Sequence, residues 1–80
     1  MKRLINSASS EVRLPRAGVM TNEEVLGLSV EKLCSLSLED LKKLVDYAGH
    51  RIVETRNVEP DYTLWSEFFE KASGALYGYL

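Results

Sequence analysis

From Tyr62 onward, large apolar side chains recur at steps of three and four: Tyr62, Trp65, Phe68, Phe69, Ala72, Leu76 and Tyr79. At about 100° per residue this spacing gathers them on one face of a helix, predicted over 62–79. A face so large and aromatic has to be covered by other helices or by a partner. A second helix is predicted over 38–56, where Leu38, Leu41, Leu44, Val45, Ala48 and Ile52 fall within about one third of the circumference. Ser37 is its N-cap. Asp40 stands three residues on, able to reach back as a weaker version of the Glu or Gln of a capping box, and Leu36 with Leu41 takes the positions of a hydrophobic staple. Helix propensity falls at Thr55-Arg56-Asn57, and Pro60 blocks continuation. Asp61 is then the expected N-cap of the last helix, and the short link favours an antiparallel helical hairpin.

Upstream, Thr21-Asn22-Glu23-Glu24 reads as a capping box that opens a helix over 22–35 carrying Val25, Leu26, Leu28, Val30, Leu33 and Cys34. Gly27 is a point of interruption; if the helix breaks there, Ser29 caps a second short piece. The stretches beginning at Ser29 and Ser37 repeat one helix-start chemistry at a spacing of eight residues, too short for a solenoid.

Residues 1–20 have no helical period, being broken by Ser7, Ser9, Ser10, Pro15 and Gly18. Within them Glu11-Val12-Arg13-Leu14 alternates polar and apolar, as a short strand or an extended segment lying on a surface does. The expected fold class is all-α: an extended arm over 1–20, then a small helical domain over 21–80 in which a short helical segment covers the C-terminal hairpin. The expected core is Leu41, Leu44, Val45, Ala48 and Ile52 from the second helix, and Trp65, Phe68, Phe69, Ala72, Leu76 and Tyr79 from the third. Leu26, Leu28, Leu33 and Leu36 cover its seam.

Charge sharpens the division between arm and body. Lys2, Arg3, Arg13 and Arg16 against Glu11 give the first twenty residues +3, while the remaining sixty carry −5. Eighty residues lie near the lower limit for one self-sufficient core, and with Cys34 as the only cysteine no internal disulfide assists it. A lone cysteine fits a reducing compartment. No apolar run approaches the ~20 residues of a membrane span, and the N-terminus lacks the apolar stretch of a secretory signal. The chain is therefore expected in the cytoplasm or inside a viral particle, not secreted and with no membrane partner.

Catalytic chemistry is absent from the pattern. His50, the only histidine, falls with Lys43, Tyr47 and Glu54 opposite the core face, where a solvated side chain is expected. One histidine and one cysteine sixteen residues apart do not make tetrahedral zinc ligation. Cys34 has no neighbouring base and reads as a small buried hydrophobe. The pairs Glu23/Glu24 and Glu39/Asp40 sit at helix starts, where the macrodipole favours negative charge. Phosphate loops, dinucleotide fingerprints and nucleophile elbows are missing. No catalytic, cofactor or metal residue is assigned, and the chain is expected not to be an enzyme.

Contacts with a partner are expected instead at Lys2, Arg3, Val12, Arg13, Leu14 and Arg16 on the arm, and at Tyr47, Gly74, Tyr77 and Gly78 on helix faces outside the core. Gly74-x-x-x-Gly78 allows close approach of a second chain, or marks a fraying end. The first reading is a non-catalytic protein–protein interaction subunit of a larger assembly, a design that suits a small phage or viral structural protein. Its partners are other proteins, further copies of itself included. The second is a small acidic regulator that occludes a nucleic-acid-processing enzyme through Glu23, Glu24, Glu31, Glu39, Asp40, Asp46, Glu54, Glu67 and Glu70. Nucleic-acid binding by the arm ranks third, because its charges are sparse and no aromatics are interleaved for base stacking.

The aromatic face is expected to dominate stability. Replacing Trp65 or Phe68 by alanine should remove about 3–5 kcal/mol, of the order of the whole stability of so small a domain, which urea denaturation followed by circular dichroism measures directly.

Overall fold

The computed structural model describes residues 11–79, which form a two-stranded antiparallel sheet followed by four helices. β1 (Glu11–Leu14) pairs with β2 (Gly18–Thr21) in the register Glu11↔Thr21, Val12↔Met20, Arg13↔Val19 and Leu14↔Gly18. The period of two puts Val12 and Leu14 inward, both buried, and Glu11 and Arg13 outward. Residues 15–17 make the turn, and Gly18 closes it at φ +88°, a backbone region costly for any residue with a side chain. A Cβ at this glycine would touch no neighbour, so conformation alone is what calls for it.

Capping chemistry then sets the helices one after another. At α1 (Asn22–Leu26) the box is complete: Thr21 Oγ1 accepts from the Glu24 N–H at 3.2 Å, and Glu24 Oε1 accepts from the Thr21 N–H at 2.8 Å. The helix stops at Gly27 and restarts as α2 (Val30–Ser35), because Ser29 turns extended and its hydroxyl accepts from the Lys32 N–H at 3.2 Å. Ser37 does the same for α3 (Leu38–Glu54), accepting from the Asp40 N–H at 3.2 Å. The predicted 22–35 helix is thus two short ones, with the break at the glycine and the second serine cap.

Two details of α3 and α4 (Asp61–Tyr77) depart from expectation. Pro60, not Asp61, is the N-cap of α4 and lends no side chain; the Glu59–Pro60 peptide bond is cis. Glu59 Oε1 supplies the missing acceptor, taking the Thr63 N–H at 3.3 Å and its hydroxyl at 2.7 Å. Asp40 does not reach back to its own cap. It is 1% exposed, and Oδ1 accepts the Arg16 N–H at 2.8 Å, fastening the β1–β2 turn to the start of α3.

α3 and α4 make the most extensive helix–helix contact and run antiparallel: Arg51 lies over Trp65 near the connection, while the Tyr79 hydroxyl donates to the Leu36 carbonyl at the other end. Their inner faces contribute Leu41, Leu44, Ala48, Trp65, Phe68 and Ala72, and the sheet, α1 and α2 close over these with Val12, Leu14, Val25 and Leu33. Val45, Ile52, Phe69 and Leu76 are partly buried against this core. Tyr79, expected inside, is exposed, because α4 ends at Tyr77; of its side chain the hydroxyl is engaged, and its N–H donates to the Leu76 carbonyl. Cys34, expected buried, is also exposed, since the six-residue α2 turns only Leu33 inward. Among the described residues no helix is long and apolar enough to cross a membrane.

The largest revision concerns residues 11–20. They were expected to extend toward a partner, yet they fold back and close the chain's own core. The alternation that makes Val12 and Leu14 one apolar face is satisfied internally once the turn brings β2 alongside. The Asp40 tether to that turn is then a stabilising element. Asp40→Ala leaves the Arg16 amide without its charged acceptor and should cost about 1–3 kcal/mol, with faster hydrogen exchange at Arg16 as the local sign.

Candidate interaction surface

α3 presents two apolar stripes. Leu41, Leu44 and Ala48 point to the core, whereas Val45, Gly49 and Val53, at steps of four, run along the outer flank. There they meet Phe69 of α4 in a shallow open groove whose rim carries Asp46 and His50. Val45 and Phe69 are half-buried, but Val53 is 63% exposed and no other described residue covers it. His50 Nδ1 lies 3.0 Å from the Asp46 carbonyl oxygen of its own helix.

Gly49 forms the floor of this groove. A Cβ there would meet Phe69 Cε1 at 3.7 Å, an ordinary contact, so the fold accepts alanine at this position. The glycine keeps the groove open at its centre, although it disfavours the helix by about 1 kcal/mol relative to alanine. Sequence reasoning assigned Val45 and Phe69 to the core and passed over Gly49 and Val53. The signal was the four-residue stripe 45-49-53, which sits to one side of the core stripe.

The residues expected to contact a partner are scattered. Val12 and Leu14 lie in the core. Arg13 and Arg16 are exposed, the latter bound through its backbone N–H; Lys2 and Arg3 lie outside the described residues. Tyr47 faces inward over the core, its hydroxyl donating to Asn22 Oδ1 at 2.5 Å and its ring meeting the Trp65 indole edge-on at 5.7 Å. It belongs to the folded body, because α1 and the sheet cover that flank of α3. Gly74 is exposed with open space around it, and Gly78 is the C-cap of α4, so the pair forms no continuous helix face. Tyr77 is 72% exposed on the last turn.

Among the described residues the acidic side chains are exposed apart from Asp40, which is buried, and Asp61, which is half-buried. Glu23 and Glu24 border a second cleft, where Met20, Leu28 and Leu36 are half-buried apolar lining and Lys32 brings the opposite charge. His50 is exposed, as expected. Among the described residues no three His, Cys, Asp or Glu side chains gather into a metal site. No protein-family model, curated protein or solved structure matches this chain.

Tyr47 is the described group whose acidity the fold visibly alters. Burial raises its pKa above 10.0, Arg51 offsets part of this, and Glu54 and Glu11 add to it. The folded chain therefore holds the phenolic proton more tightly than the unfolded chain. The resulting stabilisation is complete below about pH 10 and is lost as pH rises through the raised value. Tyr47→Phe should flatten the alkaline limb of a stability–pH profile relative to the parent, measured by thermal melts between neutral pH and the alkaline transition.

Proposed function

We propose that this protein is a non-catalytic interaction module that docks another protein surface through the outer flank of its α3–α4 hairpin. The observation carrying this reading is the open apolar groove of Val45, Gly49, Val53 and Phe69. The core is closed by the sheet, α1 and α2; Val45 and Phe69 rest partly against it, whereas Val53 is left facing outward. An exposed valine beside a helix-interior glycine is the composition of a surface that another chain approaches closely. Asp46 and His50 at its edge supply the polar rim that an interface of this kind needs to fix orientation. A compact body with a preformed flank suits a component of a larger assembly, since little ordering free energy is lost on docking.

A photoreactive amino acid in place of Val53 tests this in cells expressing the chain. Expected is one defined adduct, competed by untagged chain, with its contact peptide read by mass spectrometry. The same reagent at Glu31, an exposed residue of α2 outside the groove lining, should give no adduct of that mass. Equal capture from both positions, or capture from Glu31 alone, overturns the assignment and favours the acidic face instead.

A further inference from the structure

Resting on that reading, we infer that the occupant of the outer groove is a second copy of this chain, packed antiparallel along α3 about a two-fold axis through Gly49. Val45 lies four residues before Gly49 and Val53 four residues after it. A two-fold axis at the glycine therefore sets Val45 of each copy over Val53 of the other, and every apolar position on the flank meets an apolar position. The half-exposed Phe69 of each α4 closes the side of the contact. Gly49 itself falls on the axis, where two helices approach most closely and any side chain would meet its own image.

The charged rim is self-complementary in the same arrangement. Asp46 is three residues before the axis and His50 one residue after it, so Asp46 of one copy lies two residues, about 3 Å along the helix, from His50 of the other. A carboxylate thus comes almost level with an imidazole, twice by symmetry, and the two His50 rings, each one residue from the axis, come equally close to each other. Lys42 and Arg56, both exposed and seven residues either side of Gly49, are also brought opposite one another beyond the apolar stretch, a like-charge contact that the apolar pairing has to outweigh. The chain itself carries apolar, small and charged positions in an order that matches its own groove. The glycine supports this further: within one copy it has no packing reason, since alanine fits beside Phe69, whereas between copies it has one.

Sedimentation equilibrium of the full chain across micromolar to millimolar concentration tests the proposal. The expected result is a reversible rise from 9.0 kDa to twice that mass. Val53→Asp alters an exposed position and should leave the monomer's circular dichroism unchanged while weakening dimerisation at least about tenfold. Gly49→Ala should act with opposite signs on the two processes, raising the melting temperature of the dilute monomer and weakening the dimer. A chain that stays monomeric at millimolar concentration overturns the proposal, as does a dimer that Val53→Asp leaves intact. If the chain is monomeric but the photoreactive residue at position 53 still captures a different protein, self-association falls and the docking reading stands. If position 53 captures nothing, both fall.

Discussion

Keeping the Trp65 indole out of water requires more surface than any one helix of this chain offers, and the rest of the structure follows from that requirement. A buried tryptophan brings on the order of 200 Å² with it. α3 covers one side with Leu44 and Ala48, Phe68 and Tyr47 meet the ring edge-on, and the Arg51 guanidinium lies 5.6 Å from its centre. What the hairpin leaves open, the sheet and the two short helices close. α1 and α2 have five and six residues, well below the length at which an isolated helix holds in water, so they exist because the aromatic face gives them something to pack on.

This dependence explains how local chemistry and tertiary packing divide the work. Serine and threonine caps decide where each short helix begins, and they act over three residues whatever the rest of the chain does. They do not decide how the pieces sit against one another. That falls to apolar contacts and to a few long-range polar bonds: Asp40 to the turn at Arg16, Tyr47 to Asn22, Lys71 Nζ to the Leu28 carbonyl at 2.8 Å, and Tyr79 to the Leu36 carbonyl. The two kinds of specification are complementary, one fixing element ends and the other fixing element positions.

The same division accounts for how much was legible in the sequence. Helical periodicity and caps are local, so the C-terminal hairpin, its inward residues save the missed Tyr47 and the wrongly included Tyr79, and the Ser29 and Ser37 starts could be read from the residues themselves. The β1–β2 hairpin was half legible: alternation over 11–14 was visible, but its pairing depends on Gly18 reversing the chain and on a buried acid 24 residues away in sequence from Arg16. Asp40 was misread because a carboxylate at a helix start has a sufficient local explanation, and nothing local announces a tertiary one. The outer groove was hidden for a different reason. Val45 and Phe69 satisfy the core pattern well enough that only the neighbouring Gly49 and Val53 show a second stripe beginning beside the first. Tyr47 is the converse case, a residue on the polar arc of its helix that α1 happens to cover.

Three of the long-range tethers, those of Asp40, Lys71 and Tyr79, share a property with an evolutionary consequence. Each ends on a backbone atom: the N–H of Arg16 and the carbonyls of Leu28 and Leu36. The side chain sending the bond is therefore specified, but the receiving position is not, as far as the bond is concerned. Position 16 is free to drift through nearly every residue type without loosening the turn, proline excepted, because proline has no N–H to give. Lineages of this fold should accordingly vary on the turn while holding the acid beneath it, and a comparison of their surfaces alone would overlook the bond that keeps the turn in place.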